Sequence, residues 1–435
     1  MTLSKKPYKG TRDFYPIDQR KQDYIFNKMR KVCNSFGYEH YNGPILEEVD
    51  LYKAKSGEEL INDQIYSFTD RGNRFVAIRP EMTPTLARMI ASKGRELTKP
   101  IRWYSIPNLM RYEKPQRGRL REHWQLNVDI FDSKSPFGIF EILNMLIYIL
   151  QDFGATRDQF CILLNNRKIV DKLFKNVLKL DEETSYKTYK LIDRSKKISQ
   201  EKLQKDLEVI INDQNKEKII NDYIKLNSLD ELYRFLENYD LNEANNEFKT
   251  LMKLMNDLNL SDYVVYDPCI VRGLDYYTGF VFELFDKNPE NPRAICGGGE
   301  YENILKIFNE KPLPGVGFGL GDVTLADFLT THNLLPSFEK QGCDLLITLQ
   351  IDHSIEKIAQ LANSLRKTDL KIIINYDQVK IKKVFPLAEK LGARFVALVG
   401  ENEISNSNIQ IKDMSTRDQH NINITDITQI HNIIK

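Results

Sequence analysis

The stretch Ile101–Phe131, IRWYSIPNLMRYEKPQRGRLREHWQLNVDIF, constrains the fold more than any other. It reads as two β-strands joined by a basic loop. In the second strand Trp124, Leu126, Val128 and Ile130 alternate with Gln125, Asn127 and Asp129. A period of two puts the two sets on opposite faces. Asn, Gln and Asp are poor strand formers, so three of them on one face need a reason. One reading is an edge hairpin with a wet face. The other is the polar floor of a site, with arginines placed for phosphate and carboxylates for a cationic or donor-rich ligand. On the first strand Arg111 and Glu113 are two apart and share a face. The loop then carries Lys114, Arg117, Arg119 and Arg121 around Gly118.

At 435 residues the chain has room for roughly two to four domains. Formal net charge is +1, so no global field attracts a polyanion, and any nucleic-acid contact must come from local patches. Five scattered cysteines with no C-x-x-C pair argue for a reducing compartment and against a disulfide frame or structural zinc. The six dispersed histidines make a histidine-based metal site an unpromising reading. The start MTLSKKPYKG lacks the apolar core of a signal peptide. The most apolar run, Phe137–Leu150, is too short for a membrane span and contains Glu141 and Asn144. The expectation is a soluble, cytoplasmic protein with no membrane partner.

Asp18 is placed to cap a helix whose apolar stripe (Ile25, Met29, Val32, Cys33, Phe36) ends at Gly37. A strand-like piece with Pro44 follows, then a hairpin, Ile65–Phe68 with Phe75–Arg79, about the turn Asp70–Asn73. Thr83 is placed to cap a helix with Pro84 at its first position, and Glu81 precedes it in a loop where a carboxylate can face a site. Phe137–Leu150 is apolar nearly all round and reads as a helix buried behind a sheet. Phe160–Leu164, Tyr263–Tyr266 and Cys269–Phe285 read as strands, and Gly297–Gly299 as the lead-in to a helix. Between Ala155 and Asp267 there is no glycine or proline, and the composition shifts to Lys, Asp, Glu, Asn and Leu at helical spacing. The chain therefore divides into a first part (1–166), a helical insertion (167–258), a second part (259–332), a linker (333–342) and a C-terminal α/β domain (343–435) with a mostly parallel sheet.

No Gly-Lys dipeptide occurs, which excludes a Walker-type phosphate loop, and no G-x-G-x-x-G follows a strand. The phosphate-ready groups are instead arginines on strands: Arg111, Arg119, Arg121 and Arg272. Motif after motif, the chain resembles the histidyl-tRNA synthetase family, within the class II aminoacyl-tRNA synthetases. Arg79-Pro80-Glu81-x-Thr83 matches a stretch used for the amino acid. Met110-Arg111-Tyr112-Glu113 matches the second class II signature, and Arg272-Gly273-Leu274-Asp275-Tyr276-Tyr277 the signature most specific to the histidine family. Cys296–Gly299 and Gly315–Gly321 match later strands of the family, and Pro44 matches the proline of the first signature, at the dimer interface.

The resemblance implies an α+β catalytic domain on a mixed, mainly antiparallel sheet. It implies ATP-dependent ligation of L-histidine to tRNA(His) through a histidyl-adenylate, aided by Mg2+, in a homodimer. It places Glu81, Thr83 and Gln125 on the α-amino group of histidine, and Asp129, Tyr276 and Tyr277 around the imidazole. Arg111 is placed on the α-phosphate, Glu113 on the adenine or metal side, and Arg119 and Arg121 on the outer phosphates or ribose. Arg272 is placed on the α-phosphate or the attacking carboxylate. Arg111 and Arg272 are thus the catalytic pair. The C-terminal domain would read the anticodon, with Lys380, Lys382, Lys383 and Lys390 as a backbone-contacting patch; a solvated helix face is the plainer reading of these lysines. The helical insertion would also touch the tRNA.

Three positions depart from the family pattern. Thr324 stands where the last class II signature carries an arginine that clamps the γ-phosphate, Asp129 where many members carry glutamate, and Glu300 where a basic residue is common. Thr324 favours one rival, a non-catalytic histidine-sensing paralog that regulates histidine biosynthesis; the intact Arg111, Glu113 and Arg272 stretches and the C-terminal domain oppose it. A synthetase for another amino acid is opposed by residues 272–277. A plain nucleic-acid-binding module is opposed by the near-neutral charge and the acidic residues Glu81, Glu113 and Asp129.

Overall fold

Glu122–Phe131 is a strand with neighbours on both sides, so its polar face is not the wet side of an edge hairpin. The computed structural model describes residues 3–53, 63–271, 277–338, 342–350, 355–377 and 379–435. Two compact units divide the chain, Met1–Pro336 and Ser337–Lys435.

The strands of the first unit are β1 (Glu39–His40), β2 (Leu46–Glu48), β3 (Tyr66–Thr69), β4 (Phe75–Ile78), β5 (Ile101–Ser105), β6 (Asn108–Met110), β7 (Glu122–Phe131), β8 (Phe160–Asn166), β9 (Val264–Tyr266), β10 (Phe280–Asp286), β11 (Cys296–Tyr301) and β12 (Gly315–Gly321). Among the described residues, nine of them make one sheet in the order β1-β5-β7-β12-β11-β10-β8-β9, with β6 also on β7. The end pairs β1–β5 and β8–β9 run parallel and the pairs between them antiparallel. The sheet is therefore mixed and mainly antiparallel. A small sheet, β2-β4-β3, holds the hairpin read around Asp70–Asn73.

One face of β7 is apolar, and this places the core. Leu126, Val128 and Ile130 are fully buried, and with Val316, Phe318, Leu320 and Phe282 they face the helix Phe137–Asp152. Each such side chain contributes roughly 1.5–3 kcal/mol by leaving water. Residues 167–258 form successive helices, among them Glu182–Arg194, Gln200–Ile211, Gln214–Ile224 and Leu229–Asn238, begun by side-chain caps from Asp181, Ser199, Asp213 and Ser228. Their apolar faces (Leu191, Leu207, Tyr223, Leu236) continue the core beneath the large sheet.

Several local expectations shift. The first helix is Pro16–Ser35, so Asp18 lies in its first turn and not at its cap; proline is pre-set for a first helical position. Thr83 is the first residue of the helix Thr83–Lys93, with Met82 at the cap and no side-chain capping bond. Ile101–Met110 is two strands, since Pro107 has no N–H to donate to the ladder. Arg111 and Glu113 then lie beyond β6, in the loop. The run read as strand from Cys269 is strand only over Phe280–Asp286 among the described residues. Gly297–Gly299 is strand, and a short 3-10 helix, Ile304–Phe308, follows it.

The second unit has strands β13 (Leu345–Leu349), β14 (Ile372–Asn375), β15 (Phe395–Val399), β16 (Asn408–Asp413) and β17 (Gln419–Asn423) in the order β14-β13-β15-β16-β17. Its first two pairings are parallel and its last two antiparallel. The sheet is thus less parallel than expected, because the chain closes with a hairpin. Helices Ile355–Arg366, Ile381–Leu391 and Ile427–Ile434 cover it, and its apolar clusters are its own.

Candidate active site

On the sheet face opposite the core, glycines of β11 and β12 stand beside polar side chains of β7. Cross-strand partners share a face, so Gln125, Asn127 and Asp129 of β7 stand in register with Gly321, Gly319 and Gly317 of β12. Gly319 and Gly317 in turn pair with Gly297 and Gly299 of β11. The alternate glycines make room for polar neighbours. A Cβ on Gly319 would lie 2.7 Å from the Gln125 amide carbon, and one on Gly317 would strike the Asp129 carboxylate.

A cleft of about 490 Å³ lies over this floor, a size suited to a small ligand. Arg111, Glu113, Arg119, His123 and Gln125 line one side of it. Glu283, Arg293 and Thr324 line the other. The Arg111 Nε donates to the Pro80 carbonyl at 2.9 Å. Arg79 pins the same turn from behind, donating to the carbonyls of Asn108 and Gly43 at 2.9 Å each. The turn carrying buried Glu81, and Thr83 just after it, is thereby fixed to the residue that enters the cleft.

The basic loop closes as a tight hairpin, with Gln116 and Arg119 exchanging backbone hydrogen bonds about Arg117-Gly118. Gly118 has φ +71, a region that glycine enters without strain. Arg119 forms a 2.8 Å ion pair with Glu113, whose side chain is 8% exposed. Arg121 turns away from the cleft. Its guanidinium sits 3.9 Å from the Tyr112 ring centroid, donates to the Tyr8 hydroxyl, and donates from Nε to the Glu113 carbonyl. Arg121 braces the loop in this geometry; it is not among the residues that line the cleft.

Asp129 lies deeper along β7 and accepts a 2.5 Å hydrogen bond from the Tyr301 hydroxyl. Burial raises its pKa to about 7 against the lowering effect of that bond. Tyr277 packs over Gly299 on the same side, and Tyr41 feels the Asp129 charge. The Tyr41 hydroxyl and the neighbouring Ser105 hydroxyl are buried with no hydrogen bond of good geometry. Arg272 and Tyr276 lie outside the described residues.

His123, Glu283, Arg293 and Tyr301 were missed from the sequence. His123 was within reach, since it extends the alternation of Gln125, Asn127 and Asp129 by one step. It stays neutral near pH 7, because burial first and then Arg111 and Arg12 lower its pKa to about 3. Glu283, Arg293 and Tyr301 carry no local signal; cross-strand register brings Glu283 and Tyr301 to this face, and the turn before β11 brings Arg293 to the cleft. Glu300 does not reach the cleft lining. It is buried against Gly279 and accepts the Phe280 N–H at 2.9 Å, which explains an acid at that position as a brace between β10 and β11.

A mainly antiparallel sheet that presents arginines and carboxylates to a cleft is the class II synthetase architecture. The family model described as "Histidyl-tRNA synthetase" matches residues 10–323, and the one described as "Anticodon binding domain" matches residues 345–430. The chain is similar to a histidine--tRNA ligase of Leptospira biflexa, 43% identical over 98% of this chain and 97% of that protein. It is similar to the chloroplastic/mitochondrial histidine--tRNA ligase of Arabidopsis thaliana, 33% identical over 97% of this chain and 85% of that one. The crystal structure of histidyl-tRNA synthetase from Nostoc sp. PCC 7120 superposes with a TM-score of 0.77 at 23% identity, covering 99% of this chain and 100% of that one. The chain belongs to the histidyl-tRNA synthetase family.

Proposed function

We propose that the cleft activates L-histidine with ATP and that the chain then transfers it to tRNA(His). A histidine carboxylate oxygen attacks the α-phosphorus, the bond to the β-phosphate oxygen breaks, and pyrophosphate leaves. The terminal ribose hydroxyl of the tRNA then attacks the carbonyl carbon, and AMP leaves. No enzyme nucleophile is required, so catalysis is positioning and charge stabilisation. One observation carries the reading: Arg111 lines the cleft and is bonded to the turn that holds Glu81, so a nucleotide and an amino acid meet at a single point.

In this reading Arg111 grips the α-phosphate, with Arg272 as the second catalytic cation. Gln125, Glu81 and Thr83 hold the α-amino group. Asp129, Tyr276 and Tyr277 take the imidazole, and unsatisfied hydroxyls such as that of Tyr41 favour a donor-rich ligand there. Glu113 and Arg119 serve the nucleotide. Arg121 acts through the loop it braces. No cluster of three or more metal-ligating side chains occurs among the described residues. Mg2+ bound to nucleotide usually needs only one or two carboxylates besides phosphate, and Glu113 and Glu283 both line the cleft. These two would hold it, and the ion would neutralise phosphate charge.

Residues 343–435 act as the anticodon reader, with Lys380, Lys382 and Lys383 exposed on or beside the helix Ile381–Leu391. Residues 167–258 act as an insertion that touches the tRNA, between catalytic parts 1–166 and 259–332. The exposed apolar side chains of Ile45, Leu46, Phe68 and Phe75 on or beside the small sheet support a homodimer. No described helix is long and apolar enough to cross a membrane, consistent with work in the cytoplasm.

The test is histidine-dependent exchange of pyrophosphate into ATP. Exchange with histidine alone among amino acids is expected. Histidine binding without exchange would establish the sensor reading instead, and exchange driven by another amino acid would overturn the specificity.

A further inference from the structure

Arg293 lines a charged cleft and feels the Glu113 carboxylate only at a distance. Among the described residues it makes no ion pair, although carboxylates and arginines crowd the same walls. It stands three residues before β11 on a turn that is tied down at both ends. On one side buried Asn291 donates to Asp286 at 2.7 Å and to the Thr331 hydroxyl at 3.0 Å. On the other the Ile295 N–H donates to Leu284 at 2.8 Å. Such anchoring holds the Arg293 backbone in place before any ligand arrives.

Its side chain meets the basic loop. A Cβ on Gly118 would lie 2.9 Å from Arg293 Cδ and 3.3 Å from Thr324 Cγ2, so Arg293 and Thr324 flank the same glycine. The Thr324 hydroxyl is already committed to the main chain, donating towards the Ile295 and Gly321 carbonyls at 3.2 and 3.3 Å. Thr324 therefore offers no charge to the cleft, whereas Arg293, beside it, does.

We propose that Arg293, together with Arg119, grips the outer phosphates of ATP and does the work for which Thr324 has no side chain. This rests on the ligase reading above. The direction of the ligand follows from the floor. Arg111 is bonded to the Glu81 turn at one end of the cleft, so the α-phosphate lies there. The β- and γ-phosphates then extend along the cleft wall towards Arg119 and Arg293. Burial first, and then the like charge of Arg119, lower the Arg293 pKa, with Glu113 opposing. A polyanion between the two arginines relieves both effects. A planar guanidinium also suits bidentate contact with phosphate oxygens.

The experiment compares wild type, Arg293→Ala and Arg293→Lys in the full-length chain. Calorimetry with ATP and with AMP, each in the presence of Mg2+, reads binding without catalysis. In Arg293→Ala, ATP binding weakens by ~10-fold or more while AMP binding is unchanged, because AMP has no outer phosphates. In exchange assays kcat/KM for ATP falls on the order of 100-fold, and the KM for pyrophosphate rises in parallel. The KM for histidine does not move. Transfer from preformed histidyl-adenylate to tRNA keeps its rate, because the outer phosphates have already left. Arg293→Lys keeps the charge and loses less. Equal weakening of ATP and AMP, or an unchanged KM for ATP and pyrophosphate, overturns the proposal. If Arg293→Ala does not fold, Arg293→Gln is read in the same way. Absence of histidine-dependent exchange in wild type would instead defeat the ligase reading, so the two failures are distinct.

Discussion

Asp129 is where the chemistry of single residues is sharpest. Burial raises its pKa to about 7 from 3.8. A carboxyl whose folded pKa exceeds its unfolded value holds its proton longer in the folded chain, so its contribution to stability falls as pH rises between the two values. The penalty is absent below pH 4 and complete above pH 7, on the order of 4 kcal/mol. Asp129→Asn removes it. In urea unfolding of the ligand-free protein, the advantage of Asp129→Asn over wild type should grow from pH 4 to pH 7 and level off above it; a difference constant over that range would mean that Asp129 is ionised throughout. The same substitution should raise the KM for histidine, since an uncharged amide accepts an imidazole N–H less strongly. Gly317→Ala is expected to cost about 1–3 kcal/mol by overpacking, because its methyl would collide with Asp129. A lowered melting temperature together with a raised histidine KM would show it. Arg272→Ala should abolish exchange while far-ultraviolet circular dichroism stays native; wild-type exchange would remove Arg272 from the chemistry.

At the scale of elements, the start of the helix Asp322–Thr331 is tied to the site. Asp322 accepts the Trp124 N–H at 2.9 Å and pairs with Arg12 at 2.7 Å. One carboxylate thus joins the N-terminal segment, β7 and the helix that carries Thr324. Asp322→Ala should cost roughly 2–3 kcal/mol, read as a lower denaturant midpoint, and should loosen the cleft wall enough to raise the KM for ATP. Wild-type stability in that variant would contradict the tie. Elements of this kind were unevenly legible. The alternation in β7, the Asp70–Asn73 hairpin and the all-round apolar helix each show in the sequence, because one local periodicity governs each. The break at Pro107 did not show, and the strand character of Gly297–Gly299 came only with the family resemblance, not from the local pattern. Only the neighbouring strands reveal what Gly317, Gly319 and Gly299 are kept small for: Asp129, Gln125 and Tyr277.

For the whole molecule, the two units have separate apolar cores, one beneath the large sheet and one around β13 and β15. Removal of residues after Pro336 should therefore leave the first unit folded. Charging of tRNA(His) should fall far more than histidine-dependent exchange does, and an equal loss of both would contradict the division of labour. The helical segment 167–258 follows another rule. Among the described residues its buried apolar side chains belong to the core beneath the sheet, so it should unfold together with the first unit in a single transition.

The sequence by itself determined the kind of sheet, the polar floor on β7 and the family, since these rest on periodicity and on contiguous motifs. It also marked Arg111, Glu113, Arg119 and Gln125, all of which line the cleft. Only the tertiary structure decided which charges face that cleft. Arg121 sits three residues from Gly118 and turns to Tyr8 and Tyr112, while Arg293, far along the chain, reaches Gly118. A side chain's direction is set by the register of strands distant in sequence, and a one-residue shift of that register exchanges the two faces of a sheet.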